Sequence, residues 1–460
     1  MNQHSPLATT TIAETLARWI VGLSRDGISQ KAIDISRMLI IDMAGLAIAA
    51  RKEDYVAATI AATDKGVATA IGHHGGFDAF SAALINGTAA HGEDFDDTFE
   101  GGPVHSGAVI VPAVLAVCER EGLSGDRLLK GVAVGVELLC RLSLVAPKAI
   151  HTAGFHPTAV IGTIAAAAAV SASLDLSESE TVSAIGIAGS MAAGIIEYLA
   201  EGTWTKRMHA GNAAQSGIRA ALMARGGFLG PRTVIEGTHG FFHAFAPSRA
   251  PDFGVLLRDL GHDWIMETIA FKPYACGTMT QPFIDCAIQL AETGVSADQI
   301  VEIVCDVGEG TVHRLWEPLA VKYAPQTPYA AKFSTPICMA FGFLDRKAGL
   351  AQFTERRIAD PAVRALAAKV RYRIDPNDEY PKNFTGHLLA TLSDGSQLEF
   401  RQPYMRGGKH APLTVQEIET KFVDNAVYGG WSRETALAFL DLSQTIFDGA
   451  DLGRVREFAL

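Results

Sequence analysis

The chain is organised around one acidic stretch, residues 93–105, which reads Glu-Asp-Phe-Asp-Asp-Thr-Phe-Glu-Gly-Gly-Pro-Val-His. Five carboxylates fall within its first eight residues, and a Gly-Gly-Pro turn then leads to His105. Apolar segments lie on both sides, an Ala-rich one before it and residues 108–117 after it. Carboxylates packed so densely repel one another and lose hydration if they are buried. Their place between two core segments indicates either a solvated loop or a functional site.

Helical periodicity surrounds this stretch as far as residue 270. Thr11 and Glu14 form a capping box at the start of the first helix, and Gly, Pro, Asp or Ser residues separate the later helical patterns. The abundance of alanine indicates closely packed helices. Besides the first helix, the pattern predicts helices over residues 32–50, 77–90, 108–121, 126–144, 159–173, 177–190 and 211–225.

A different pattern begins near residue 270. Ile300–Val307 and Val370–Ile374 read as strands, and Ser-Asp-Gly-Ser at 393–396 predicts a hairpin turn. We therefore predict a mainly α fold: a large all-helical domain built from both chain ends, residues 1–270 and 404–460, and a small α+β domain, residues 271–403. A cleft between them would be a usual place for a ligand. Further helices are predicted over residues 281–292, 330–346, 361–369, 415–425 and 433–442.

The composition argues against several classes of protein. With 48% hydrophobic and 19% charged residues the chain is globular, and a net charge of −11 without a basic run argues against nucleic-acid binding. Six scattered cysteines without a CxxC pair argue against a zinc site and a disulfide framework. Residues 1–11 lack the features of a signal peptide, so we expect a reducing cytoplasm. The long apolar segment Pro157–Leu174 consists largely of Ala, Thr and Ser and predicts a buried helix, with no membrane span.

Three further clusters combine charged groups with turn residues. His156 directly precedes a predicted helix, whose positive end would favour the neutral imidazole that can accept a proton. Lys206 and Arg207 lie ahead of the predicted helix 211–225 and could bind an anion. Lys272 lies at the domain boundary, and Tyr323 is a further candidate in the small domain. On residue chemistry alone, a helix cap and solvated basic loops remain the alternatives.

The acidic stretch could also bind a metal ion. Asp94, Asp96 and Asp97 offer the oxygen ligands that magnesium and calcium prefer. However, the stretch lacks the later glutamate of a calcium loop. We therefore predict no metal.

Taken together, these clusters resemble the MmgE/PrpD family in order and spacing, over essentially the whole chain. The resemblance implies a large helical domain, a small α+β lid, a homodimer and no cofactor. Known members include 2-methylcitrate dehydratase, cis-aconitate decarboxylase and iminodisuccinate epimerase. The matching motifs are Asp-Phe-Asp-Asp-Thr at 94–98 with His105, Gly-Phe-His-Pro-Thr at 154–158, Thr-Lys at 205–206 with His-Ala-Gly at 209–211, Phe-Lys-Pro-Tyr at 271–274 and Ala-Lys-Phe-Ser at 331–334.

The resemblance also implies an active site. The reactions of the known members share proton transfer at a carbon next to a carboxylate. We expect His105 and His156 to carry the proton, Asp94 to orient one of them, and Lys206 to neutralise the developing charge. The expected substrate-binding residues are Thr98, Arg207, Tyr323 and Lys272.

The sequence departs from the pattern of two family activities. Ser106 stands where a proline usually follows the histidine, and no histidine closely follows the motif at 271–274, where decarboxylases and methylcitrate dehydratases resemble each other in having one. We therefore favour a cofactor-independent epimerase of the iminodisuccinate type that acts on a small di- or tricarboxylic acid. A hydro-lyase, a decarboxylase and a non-enzymatic carboxylate binder are the alternatives.

Overall fold

The computed structural model describes residues 10–449 and 451–459. These residues divide into two compact units, and the described parts of Met1–Gly92, Asp96–Ile269 and Ile418–Leu460 form the first. Glu93–Phe95 and Ala270–Glu417 form the second. The role of residues 271–403 as a lid domain stays a prediction. Residues 1–9, to which most of the signal-peptide prediction applies, lie outside the described residues.

The mainly α fold class is confirmed, because helices form most of the first unit. Its short strands are β1 (Lys65–Thr69), β2 (Gly76–Phe77) and β3 (Thr98–Phe99). A fourth short strand, β4 (Ile269–Ala270), lies where the chain passes from the first unit to the second. Its helices are α1 (Ile12–Gly22), α2 (Gln30–Ala50), α3 (Asp54–Ile60), α4 (Ala79–Gly92), α5 (Gly107–Glu121), α6 (Gly125–Val145), α7 (Ala149–Thr152), α8 (Pro157–Leu174), α9 (Glu178–Met191), α10 (Tyr198–Glu201), α11 (Thr205–Arg225), α12 (Phe241–Phe245) and α13 (Gly254–Leu257).

The second unit combines helices with a four-stranded sheet. Strand β5 (Ile300–Val307) pairs in parallel with β6 (Val370–Ile374) and antiparallel with β7 (Gly386–Leu392), which forms the predicted hairpin with β8 (Gln397–Gln402). The hairpin turn contains Gly395 at φ +85°, a conformation that glycine adopts without strain. The helices are α14 (Gln281–Glu292), α15 (Glu309–Leu315), α16 (Leu319–Tyr323), α17 (Pro328–Ala331), α18 (Thr335–Asp345), α19 (Glu355–Ile358) and α20 (Pro361–Ala367). Two more follow in the chain, α21 (Val415–Tyr428) and α22 (Arg433–Gln444).

Two predicted helices differ most from the observed ones, for identifiable local reasons. Helix α11 begins at Thr205, six residues before the predicted start, because Gly202 ends α10 in a left-handed conformation and frees the chain to start a new helix. The predicted helix 330–346 is instead the two helices α17 and α18. Ser334 caps α18, where its side chain accepts a hydrogen bond from the Ile337 N–H.

Helix α8 lies in the core of the first unit. It is long and apolar enough to cross a membrane by length and composition, but 89% of its apolar window is buried inside the structure. Helices α5, α6, α9 and α11 pack against it. The core helix of a globular protein passes the same test, so this helix is weak evidence for a span.

Helices α4 and α11 cross at a pair of glycines. A Cβ atom on Gly87 would lie 2.5 Å from the Gly211 Cα atom, and one on Gly211 would lie 2.3 Å from the Leu84 carbonyl oxygen. Both distances are too short for any side chain, so only glycine permits this approach. The crossing matters because each helix carries a histidine close to it, His91 on α4 and His209 on α11.

We expect Gly211→Ala to destabilise the protein by about 1–3 kcal/mol, because overpacking would push α4 and α11 apart. The midpoint of chemical denaturation measures this change. Gly22→Ala is the matched control, since a Cβ atom there meets nothing within 4 Å. Equal midpoints for the two variants would contradict the tight crossing.

Candidate active site

Four histidines from separate elements of the first unit form one cluster. His91 lies in the last turn of α4, His105 precedes α5, His156 is the N-cap of α8, and His209 lies in α11. The ring centroids of His91 and His105 are 4.9 Å apart, those of His91 and His156 are 5.6 Å apart, and those of His156 and His209 are 5.3 Å apart. His105 is the most accessible of the four, with 12% of its side chain exposed.

Three acids of the acidic stretch, Asp94, Asp96 and Asp97, are buried, and they make different contacts. Asp97 Oδ2 accepts hydrogen bonds from the Ser106 N–H (3.0 Å) and hydroxyl (2.8 Å), and Oδ1 accepts one from the Gly107 N–H (2.9 Å), so Asp97 caps α5. Burial and the neighbouring Asp96 raise the pKa of Asp97 to about 7. The Asp97 carbonyl accepts a hydrogen bond from His105 Nδ1 at 2.7 Å. Since a carbonyl can only accept, His105 carries a proton on Nδ1.

Asp96 is the acid that contacts the histidines. Its Oδ2 atom lies 2.6 Å from His91 Nδ1, and its Oδ1 atom lies 3.5 Å from His105 Nδ1. From the sequence, Asp94 is the acid expected to orient one of the histidines. The structure assigns loop capping to Asp97, and it places Asp96 between two imidazoles.

The remaining predicted acid and two predicted binding residues belong to the second unit. Lys272 Nζ donates to the Asp94 carbonyl oxygen at 2.9 Å, and it lies 3.2 Å from Asp94 Oδ1. The two residues therefore form a buried ion pair. The Tyr323 hydroxyl donates to the Val370 carbonyl at 2.7 Å and accepts a hydrogen bond from Arg371. These contacts lie within the second unit, and a substrate-binding role for these residues stays a prediction.

His156 and His209 are in direct contact and are both held neutral. Their Nδ1 atoms are 3.2 Å apart, so one donates and the other accepts. Burial lowers the pKa of His156 well below its ordinary value, and electrostatic repulsion from the neighbouring His91 and Lys206 adds to this effect. Burial also lowers the pKa of His209 to about 4, helped by His91 and Lys206. We had predicted a neutral His156 from the helix dipole, but burial and neighbouring positive charge are the larger causes.

A glycine that sequence reasoning missed shapes this part of the site. The Gly194 carbonyl accepts a hydrogen bond from the His156 N–H at 2.9 Å. Gly194 has φ +133°, and a Cβ atom there would lie 2.5 Å from the Ala159 Cβ atom and 3.4 Å from the His209 ring. The absence of a side chain therefore lets the loop after α9 pack against both histidines.

The cationic residues at the start of α11 differ in their surroundings. Lys206 and Arg207 lie in the first turn of the helix, and the expectation that they precede the helix was wrong. The charge of Lys206 acts on His156 and His209, as their lowered pKa values indicate. The Arg207 guanidinium instead stacks 4.2 Å from the centre of the Tyr55 ring.

The structure thus brings together His105, His156 and Lys206. Thr98 is buried on β3, seven residues before His105 in the chain. Sequence reasoning assigned no role to His91 or His209. The sequence signal that could have identified His209 as a site residue was its place in the His-Ala-Gly motif. The only such signal for His91 was its position just before the acidic stretch.

His91, Asp96 and His105 also have the ligand types of a transition-metal site. Their ligand atoms all lie within 4.8 Å of one another. However, His91 Nδ1 and Asp96 Oδ2 are only 2.6 Å apart. Two ligands bound tetrahedrally to zinc at about 2.0 Å are about 3.3 Å apart, so a shared proton fits this pair better than a metal ion does.

Comparisons with known proteins agree with the sequence motifs. The family model described as MmgE/PrpD N-terminal domain matches residues 14–254, and the MmgE/PrpD C-terminal domain matches residues 274–442. Cis-aconitate decarboxylase of Homo sapiens is 32% identical over 359 residues, which cover 75% of this chain and 72% of the relative. Cis-aconitate decarboxylase of Aspergillus terreus is 27% identical over 424 residues, 85% of this chain and 84% of the relative. The chain therefore belongs to the MmgE/PrpD family.

Proposed function

We propose that the protein is a lyase that decarboxylates a small tricarboxylic acid of the cis-aconitate type. The buried cluster of four imidazoles beside Lys206 is the observation that carries the proposal, because such a cluster can hold and move a proton. The named activity of the relatives supports decarboxylation as the reaction. This proposal replaces the preference for an epimerase, which rested on sequence departures alone. The homodimer, the cytoplasmic location and the absence of a cofactor stay predictions.

The reaction needs a proton donor at the substrate carbon, and in the free site His156 and His209 are not protonated to imidazolium. Burial lowers the pKa values of His156 and His209, so both imidazoles are neutral at pH 7. A tricarboxylate bound beside Lys206 would bring negative charge to the cluster and raise these pKa values. The site would then take up a proton together with its substrate.

That proton completes the reaction. When CO₂ leaves, the electrons of the broken C–C bond stay on the substrate carbon skeleton, and Lys206 stabilises the negative charge. The imidazolium of His156 then donates its proton to carbon, and a C–H bond forms. The balance is R–COO⁻ + H⁺ → R–H + CO₂, and the imidazole returns to its neutral form.

An epimerase is the second candidate, because it needs two proton carriers on opposite faces of one carbon. The rings of His105 and His156 come from different segments, and their centroids are 6.4 Å apart. The Nδ1 atom of His105 donates a hydrogen bond to the Asp97 carbonyl, so a second proton on this ring would have to go to Nε2. The same pair of groups could therefore exchange a proton at carbon without loss of CO₂.

Incubation of the protein with cis-aconitate in deuterium oxide distinguishes these reactions. We expect release of CO₂ and a product that carries one deuterium on carbon, detected by NMR. Deuterium exchange into iminodisuccinate without CO₂ release from any tricarboxylate would replace the decarboxylase with the epimerase. Loss of water from a hydroxy acid would indicate a hydro-lyase. Binding of tricarboxylates without any turnover would leave only a binding protein.

We expect binding of tricarballylate, an unreactive tricarboxylate, to take up about one proton at pH 6, because the ligand raises the low histidine pKa values. Calorimetry in two buffers with different ionisation enthalpies measures the number of protons. Equal binding heats in the two buffers would contradict substrate-linked protonation. A monocarboxylate such as acetate serves as the control ligand, since it brings less charge.

A further inference from the structure

Lys332 is a buried lysine that contacts the start of the acidic stretch. Its side chain is 1% exposed, and its Nζ atom donates to the Glu93 carbonyl oxygen and to Glu93 Oε2, both at 2.6 Å. Lys332 belongs to the Ala-Lys-Phe-Ser motif at 331–334, to which the proposed function assigns no task. A lysine buried to this extent needs acceptors for its Nζ atom. Glu93, 239 positions away in the chain, supplies two of them.

The hydrogen bond to the carbonyl oxygen fixes the main chain as well as a side chain. Glu93 directly follows α4, which ends at Gly92. The next residue, Asp94, has φ +57°, a left-handed conformation that residues other than glycine adopt rarely. Lys272 Nζ binds the Asp94 carbonyl oxygen at 2.9 Å. Two lysines thus hold two consecutive carbonyl oxygens at the point where the backbone turns.

This turn leads directly to Asp96. Glu93–Phe95 belong to the second unit, and the chain enters the first unit at Asp96. Asp96 Oδ2 lies 2.6 Å from His91 Nδ1, and Asp96 Oδ1 lies 3.5 Å from His105 Nδ1. Consecutive Cα atoms are always about 3.8 Å apart. Because Asp96 is only three residues after Glu93, the direction of the backbone at the turn determines where the Asp96 carboxyl group can lie.

We propose that Lys332 is a positioning residue for the candidate active site. Its two hydrogen bonds to Glu93 fix the turn, and the fixed turn holds the Asp96 carboxyl group against His91 and His105. Lys332 acts through Asp96 and carries no proton in the reaction itself. The consequence for turnover rests on the proposed decarboxylation, whereas the placement of Asp96 does not.

The test uses Lys332→Met in the full chain, which removes both hydrogen bonds and keeps an unbranched side chain. We expect the ¹H–¹⁵N NMR signals of the His91 and His105 rings to shift in the ligand-free protein, because Asp96 is no longer held against them. We expect kcat for CO₂ release from cis-aconitate to fall about 10–100-fold with KM nearly unchanged, since misplaced catalytic groups slow the chemical step.

Lys369→Met is the matched control within the second unit. Lys369 Nζ also donates two hydrogen bonds, to the carbonyl oxygens of Ala297 at 2.9 Å and Ile300 at 2.6 Å, neither of which belongs to the acidic stretch. This variant should lose stability but keep the histidine signals and the kcat of the wild type. If Lys332→Met behaves in the same way, the role of Lys332 is purely structural and the proposal is overturned.

Glu93→Gln decides the question if Lys332→Met does not fold. The Glu93 side chain is 17% exposed, and glutamine keeps the carbonyl contact and an oxygen acceptor but removes the carboxylate. The His91 and His105 ring signals should shift in this variant too, and unchanged signals would overturn the proposal. These signals need no turnover. Shifted signals in a protein that releases no CO₂ would therefore refute the proposed decarboxylation and support the role of Lys332.

Discussion

Replacement of His156 by asparagine should lower kcat by roughly 10²–10⁴-fold, the usual loss when a positioned proton carrier is removed. Asparagine keeps a polar group toward His209, whose Nδ1 atom lies 3.2 Å from that of His156, so the loop should remain in place. Initial rates of CO₂ release from cis-aconitate measure the effect, and circular dichroism checks the fold.

The matched control for this prediction is His262→Asn, at an exposed position, which should keep the wild-type kcat. If His156→Asn also keeps a kcat close to the wild type, then His156 does not carry the proton. A large loss in His105→Asn alone would assign that task to His105, the more accessible of the two imidazoles.

Arg141→Met should destabilise the protein by about 3–5 kcal/mol, because it leaves Glu137 as a buried carboxylate without its partner. Arg141 is 1% exposed, and its Nε atom lies 2.5 Å from Glu137 Oε1. Its Nη atoms also donate to the Arg258 carbonyl at 2.6 Å and the Asp263 carbonyl at 2.7 Å. One guanidinium thus fixes α6 to the loop after α13.

Urea denaturation measures this change, and Arg127→Met is the control. The Arg127–Asp175 pair is partly exposed, and such pairs contribute about 1 kcal/mol or less. Glu137 also accepts hydrogen bonds from the backbone of residues 265 and 266. The double variant Arg141→Met, Glu137→Gln should therefore recover part of the loss, because glutamine keeps an acceptor but not the charge. Similar losses for Arg141→Met and Arg127→Met would contradict the expected cost of the buried charge.

The sequence predicted most helices and strands well, because their signals are local. The helix Gln281–Glu292 and the strands Ile300–Val307 and Val370–Ile374 have the predicted bounds. The start of α11 was missed because Gly202 ended the preceding short helix close to it. Lys206 therefore lies on a helix and not in a loop.

Within the acidic stretch, the sequence could not assign a partner to each acid. Asp94, Asp96 and Asp97 are chemically equivalent, and two residues separate the first from the last. Asp94 has a positive φ of +57°, and its side chain pairs with Lys272, which is 178 residues away in the chain. The contacts of Asp96 with two imidazoles could not be read from spacing, because those histidines lie on different sides of it in the chain.

By itself, the sequence determined the mainly α fold class, the family and the importance of residues 93–105, because periodicity, motif order and charge density are properties of the chain alone. Only the tertiary structure decided which groups meet. The glycine crossing of α4 and α11 brings His91 and His209 toward His156. Burial and mutual charge then shift the pKa values of His156 and His209, and both effects depend on distances in space that no local sequence signal contains.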